Sequence, residues 1–116
     1  MAEDCIFCKI ANGVIKTELV YEDDLVAAFK DLHPIAPVHV LIVPKTHIPS
    51  VNDADAANQA ALGRLFLAAR AVAEKFSVAA GGYRIIINNN ADAGQEVDHL
   101  HVHLLGGRRL GPMLAK

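Results

Sequence analysis

The chain has 116 residues, 53% of them hydrophobic, enough to bury a core of its own, so one domain over residues 1–116 is expected with no room for a second. Its formal net charge is -2 and its basic residues are scattered apart from Arg108-Arg109, which excludes the electrostatic footprint of a nucleic-acid-binding protein and favours a small neutral or anionic partner. The acidic start Met1-Ala2-Glu3-Asp4 leads into Cys5 rather than a long apolar run, and no segment has the length of a membrane span, so the chain reads as cytoplasmic, without a secretory signal or a membrane partner.

In chain order, Phe7 to Ala11 reads as a helical turn ending near Asn12-Gly13. Leu19 to Glu22 and Leu25 to Asp31 read as strands of a hairpin turning at Asp23-Asp24. His33-Pro34-Ile35-Ala36-Pro37 breaks the pattern, because neither proline can donate to a ladder. Val38 to Val43 resumes it as a β-branched run that contains His39, and Pro44 ends the strand. Asn52, Asp53 and Asp55 then offer caps to the only long helical pattern, in which Leu62, Leu65, Phe66, Ala69, Val72, Ala73 and Phe76 recur at three- and four-residue spacing. That apolar stripe must lie on the sheet, and Gly81-Gly82 is read as its close. Tyr83 to Ile87 is a further strand, Asn88 to Glu96 a loop, and His99 to Leu105 a last strand ending at Gly106-Gly107. The expectation is an α+β domain with about five mainly antiparallel strands, one principal helix and a short N-terminal helix.

The last strand carries the strongest signal. On a strand, His99, His101 and His103 share one face while Leu100, Val102 and Leu104 occupy the other. Val, Ile and Thr suit a pleated surface better than histidine, which titrates near neutrality, so a row of three imidazoles about 6.6 Å apart points to chemistry. Two uses compete: a tris-histidine zinc site that activates water, or a neutral middle imidazole that attacks phosphorus while its neighbours donate to phosphoryl oxygens. Spacing alone does not choose between them. A lone histidine on an apolar strand, such as His39, is more often a hydrogen-bonded core residue. Cys5-Ile6-Phe7-Cys8 has C-x-x-C spacing, equally compatible with two idle thiols, although two cysteines in a reducing compartment favour thiols or a metal over a disulfide.

The pattern His99 to Leu105 resembles the signature of the histidine triad superfamily of nucleotide hydrolases and transferases. Phe29-Lys30-Asp31, Pro34, Pro37 and the run His39 to Ile48 resemble the nucleoside-binding and first active-site segments of its nucleotide-binding branch, and Gly82 to Asn88, Gly94 to Val97 and Gly106 to Ala115 resemble bacterial members. The resemblance implies a HIT-like fold and a homodimeric purine nucleoside phosphoramidase that cleaves adenosine 5'-phosphoramidates and aminoacyl adenylates to AMP, with no cofactor in catalysis. It makes His101 the nucleophile that forms a nucleotidyl-histidine, flanked by His39 and His103, which orient it, bind phosphoryl oxygen and manage protons. It makes Asp31 the acceptor of the ribose hydroxyls, Phe7, Ile10, Ile15, Phe29 and Leu32 the walls of a purine pocket, and Asn88, Gly94, Gln95, Glu96 and Val97 the loop on the phosphate side. Apolar residues such as those five are usually just core. Alternatives are a nucleotide-binding regulator with vestigial catalysis and a dinucleoside polyphosphate hydrolase.

Histidine triad proteins with such a cysteine pair tend to use it, with the histidine of the Pro-Lys-x-His segment and the first triad histidine, to hold a structural zinc. The matching positions here are Cys5, Cys8, His47 and His99, which would leave His101 and His103 for phosphate. Two departures stand out. Glu96 occupies a position where a serine that contacts the leaving group is frequent, and a carboxylate beside a phosphate is unfavourable unless it faces a cation, points away or takes up a proton. It is therefore expected to favour cationic amine leaving groups such as a lysyl adenylate. Asp98 stands where an aromatic residue is common, and nothing in the sequence explains it. The tail, Leu110 to Lys116, is a candidate to reach a partner's active site.

Overall fold

A computed structural model of the chain describes residues 4–114; Met1, Ala2, Glu3, Ala115 and Lys116, including the end of the tail, lie outside the described residues. Five strands form one antiparallel sheet: β1 (Tyr21–Glu22), β2 (Val26–Lys30), β3 (Val38–Pro44), β4 (Tyr83–Ile86) and β5 (Val102–Gly106), in the order β1-β2-β3-β5-β4. Two α-helices, α1 (Ile6–Ala11) and α2 (Gln59–Lys75), complete the α+β architecture that the sequence predicts.

The two helices cover opposite faces, and strand alternation sorts the residues between them. Val26 and Ala28 of β2, Val40 and Ile42 of β3, and Val102 and Leu104 of β5 pack in one core with Leu65, Ala68, Ala69, Val72 and Ala73 of α2. On the other face Ala27, Phe29, Leu41 and Val43 pack with Cys5, Phe7, Cys8, Ile10 and Ala11 around α1. The β1–β2 hairpin turns on Asp23, whose Oδ1 accepts the Leu25 and Val26 N–H groups and whose Oδ2 accepts the Tyr21 hydroxyl. Arg64 of α2 reaches the same carboxylate at 3.2 Å, tying helix to hairpin.

Several expected boundaries move. The two hairpin strands are shorter than read, and β3 runs one residue further, to Pro44. Asp55 caps a 3-10 turn (Ala56–Asn58) that runs into α2, Ser50 caps an earlier one (Val51–Asp53), and Asn58 at the α2 N-cap makes no side-chain capping bond. The helix stops at Lys75, well before Gly81-Gly82, because Ser77 takes a left-handed φ of 59°; Gly82, at φ 103°, belongs to the turn into β4. Phe66 projects outward, 56% exposed, while Ala68, unremarked in the stripe, is buried.

The larger correction concerns the histidine strand. Only Val102–Gly106 pairs with β3, the register ending at Ile42 opposite Val102. The His99 N–H bonds to the Val97 carbonyl and the Leu100 N–H to the Ile48 carbonyl, so His99 to His101 leave the ladder. The alternation survives: Leu100, Val102 and Leu104 enter the α2 core, while the imidazoles stay on the α1 side.

Candidate active site

Three neighbouring strands bring the catalytic candidates together. Asp31 follows β2, and its N–H bonds the His39 carbonyl at 3.0 Å, extending the β2–β3 ladder by one step. His103 on β5 lies opposite Leu41, diagonal to His39, within the reach of long side chains. His39 Nε2 lies 3.0 Å from His103 Nδ1 and 3.5 Å from an Asp31 carboxylate oxygen. The His101 and His103 rings lie 5.0 Å apart. These four residues line one cavity of about 430 Å³ with His33, Ile35, Asn88, Gly94 and Glu96.

Backbone partners assign the ring protons. His101 Nδ1 lies 2.7 Å from the His99 carbonyl, which can only accept, so Nδ1 carries the proton and Nε2 keeps its lone pair. The Ile35 N–H donates to His39 Nδ1 at 3.3 Å, so the His39 proton sits on Nε2 and is directed at His103 Nδ1. His103 in turn presents an Nε2–H donor. Burial, reinforced by His101 and His39 and opposed by Asp31, pushes His103 down to about 4, so it is neutral at pH 7. The site therefore sets a nucleophilic lone pair beside a neutral N–H donor. Sequence reasoning passed over His33 and Ile35; a backbone N–H that fixes a tautomer leaves no signature in residue type.

The remaining candidates divide. Asn88, Gly94 and Glu96 line the cavity, and Gly94 takes a left-handed φ of 79° at the end of a 3-10 turn (Ala91–Ala93). Gln95 faces inward: its amide donates to the Pro49 and Val97 carbonyls and accepts the Asn90 N–H, bracing the loop. Val97 packs with the α1 cluster. Phe7 sets its ring edge-on to His101 at 5.1 Å and to Phe29 at 5.5 Å, and Phe7, Ile10 and Phe29 are buried. Ile15 is exposed and Leu32 is 89% exposed, so neither joins that apolar cluster.

Next to it lies a second cluster. Cys5, Cys8, His47 and His99 bring one ligand atom each to within 4.8 Å of one another. His99 donates Nε2–H to the Pro44 carbonyl at 2.8 Å, which leaves Nδ1 facing Cys5 Sγ at 3.2 Å and Cys8 Sγ at 3.4 Å. His47 Nδ1 lies 3.3 Å from Cys8 Sγ. Neither cysteine is in a disulfide. Burial pushes His99 down to about 4, against the pull of the Pro44 carbonyl, so its ring is neutral, as a ligand must be. Two thiols and two imidazoles, one locked in the ligating tautomer by a backbone carbonyl, fit a tetrahedral metal ion. Asp98 is exposed at a neighbouring cavity lined by Cys5, His47 and Glu96.

Comparison with known proteins agrees with this geometry. A purine nucleoside phosphoramidase of Escherichia coli K12 is 54% identical over 115 residues, 99% of this chain and 97% of the relative. A histidine triad protein from Clostridium difficile superposes with a TM-score of 0.93 at 43% identity, covering 98% of this chain and 99% of that one. A HIT family hydrolase from Clostridium thermocellum gives 0.93 at 46% identity over 99% and 100% of the two chains. The HIT domain model matches residues 12–110, and with a fold, a histidine site and full-length relatives in accord, this chain belongs to the HIT domain family.

Proposed function

We propose that this chain is a purine nucleoside phosphoramidase, cleaving the P–N bond of adenosine 5'-phosphoramidates and the acyl-phosphate bond of aminoacyl adenylates to release AMP. The observation that carries the reading is the 2.7 Å bond from His101 Nδ1 to the His99 carbonyl, which leaves the Nε2 lone pair to the cavity shared with Asp31, His39 and His103. The name of the Escherichia coli relative supports the same activity.

In the first half-reaction His101 Nε2 forms a bond to the α-phosphorus, the P–N bond breaks with its electron pair on nitrogen, and that nitrogen takes a proton from solvent. The His103 Nε2–H donates to a phosphoryl oxygen as charge develops there, with His39 holding its tautomer. In the second, water attacks phosphorus, His101 leaves with its Nε2 lone pair, and the water proton returns to solvent. Asp31 retains an acceptor oxygen for the ribose hydroxyls, because only its Oδ1 takes the His33 N–H. The walls against the purine are Phe7, Ile10 and Phe29, buried on the α1 side of the sheet, with the exposed Ile15 and Leu32 completing the set.

Zinc is the ion whose preferences match the Cys5, Cys8, His47 and His99 donors, and there it would pin α1 and the approach to β5, with no part in bond-breaking. A reduced thiol pair suits the cytoplasm; among the described residues no helix is long and apolar enough to cross a membrane. For the homodimer that the family resemblance implies, surfaces available among the described residues include the outer edge of β4 and the exposed Phe66 and Leu67 of α2.

The test is mass spectrometry of the protein mixed with a tryptamine adenosine phosphoramidate, comparing wild type with His101→Gly. Wild type is expected to release AMP and carry a transient adenylyl adduct, and the variant to do neither. Tight AMP binding with no turnover in wild type would replace this reading with that of a nucleotide-binding regulator.

A further inference from the structure

The residue that aims the nucleophile is not itself held by the sheet. His101 depends on the His99 carbonyl, yet β5 begins at Val102, so neither residue is fixed by a strand ladder. Backbone bonds to the Val97 and Ile48 carbonyls locate the His99 and Leu100 N–H groups. The rest of the restraint falls on the His99 side chain. Its Nε2 is tied to the end of β3 at Pro44 and its Nδ1 lies between the thiols of Cys5 and Cys8. A second connection runs from the same cluster. Phe7 sits between the two cysteines on α1 and meets the His99 and His101 rings edge-on, at 6.0 and 5.1 Å.

The geometry points to His99 as a positioning residue through which a soft divalent ion at Cys5, Cys8, His47 and His99 sets the tautomer and aim of His101. This rests on the reading of His101 as nucleophile given above. Thiol-to-imidazole contacts of 3.2 to 3.4 Å are weak hydrogen bonds, whereas ligand bonds to an ion fix the His99 ring and so steady, at its Cα end, the peptide that the Leu100 N–H bond to Ile48 holds at the other. Without the ion the ring can tilt, and the carbonyl, left to the Leu100 N–H bond alone, is held less closely on His101 Nδ1. The His101 proton then distributes between the two ring nitrogens, and the Nε2–H form has no lone pair for phosphorus. Asp31 lies outside the thiol cluster, whereas the Phe7 and Ile10 walls ride on α1 beside it. Loss of the ion therefore lowers kcat through the aim of His101.

Two forms of the intact chain test this, one loaded with Zn²⁺ and one stripped by a chelator, each ¹⁵N-labelled at histidine. The loaded form is expected to show His101 as a single Nδ1–H tautomer and the stripped form an average of two. In parallel, kcat for an adenosine phosphoramidate at saturating substrate should fall by about tenfold or more. Cys8→Ala should match the stripped form, and Cys8→His, which restores four ligands, should recover the tautomer. A folded, stripped protein that keeps the Nδ1–H tautomer and full kcat overturns the inference. Should stripping unfold the chain, His47→Asn keeps the three buried ligands and weakens the hold on the ion; its His101 shifts and kcat should then rise together as Zn²⁺ is added, and a kcat flat across that titration is equally fatal. The ring shifts are read without turnover, so a loaded wild type that forms no adenylyl adduct sinks the proposed activity alone.

Discussion

His99 commits Nε2 to the Pro44 carbonyl, His101 commits Nδ1 to the His99 carbonyl, and His39 commits Nδ1 to the Ile35 N–H; His99 is left with an Nδ1 lone pair, His101 with an Nε2 lone pair and His39 with an Nε2–H, so each ring has a different duty. The alternation of His99, His101 and His103 with apolar residues was legible because strand periodicity is local. The partners were not, since they are backbone groups that exist only once the chain is folded. Gln95 illustrates the same limit: position in a loop beside a phosphate site says nothing of an amide turned inward to brace that loop. Glu96 is the residue at the cavity whose chemistry argues for selectivity. It is exposed, so solvent screens its charge, and Glu96→Gln is expected to reduce the preference for a lysyl over a neutral leaving group by about two- to fivefold with little change for the neutral one. Competition between a lysyl and an alanyl adenylate measures it, and an unaltered ratio removes Glu96 from the specificity of the site.

A helix of six residues is too short to persist alone, so α1 owes its place to the packing of Phe7, Ile10 and Ala11 and to the thiols at its first turn, Cys5 also accepting the Cys8 N–H as the N-cap. By contrast α2 announced itself, since four turns of apolar residues at helical spacing admit no other element. Its end was misread because a glycine pair is a generic stop signal, while the real stop is Ser77 in a left-handed conformation that sequence gives little reason to expect. The stripe was right where it faced the sheet and wrong at Phe66. Leu65→Ala, at a side chain 2% exposed, should cost about 2–5 kcal/mol, whereas Phe66→Ala should cost less than about 0.5 kcal/mol in the monomeric unit. Urea unfolding of the two variants checks this, and equal costs would mean that α2 does not dock as described or that Phe66 is covered by a second copy.

At the scale of the molecule, one sheet divides the chain into a face sealed by α2 and a face that carries chemistry, and the division leaves imidazoles partly desolvated beside one another. That has a consequence for stability against pH. The His103 pKa lies at about 4 in the fold, below its ordinary 6.5, so the unfolded chain takes up a proton on this residue first as pH falls. The contribution of neutral His103 is present in full above pH 6.5, is lost progressively between 6.5 and 4, and changes no further below that. Asp23 does not interfere. Burial pushes its carboxyl up, but the Tyr21 hydroxyl, the Leu25 and Val26 N–H groups and Arg64 outweigh burial and hold it at about 2, so its own contribution declines only as pH falls below 3.8. His99 titrates in the same window as His103 but is bound to the thiol cluster, so a difference between variants is needed to separate them. His103→Gln retains a side chain of similar reach without a titrating ring. Wild type should lose more stability than this variant between pH 7 and pH 5, by a slope approaching one proton, in urea titrations at constant zinc. Parallel curves would place the acid sensitivity of the fold elsewhere and return His103 to an ordinary, solvated histidine.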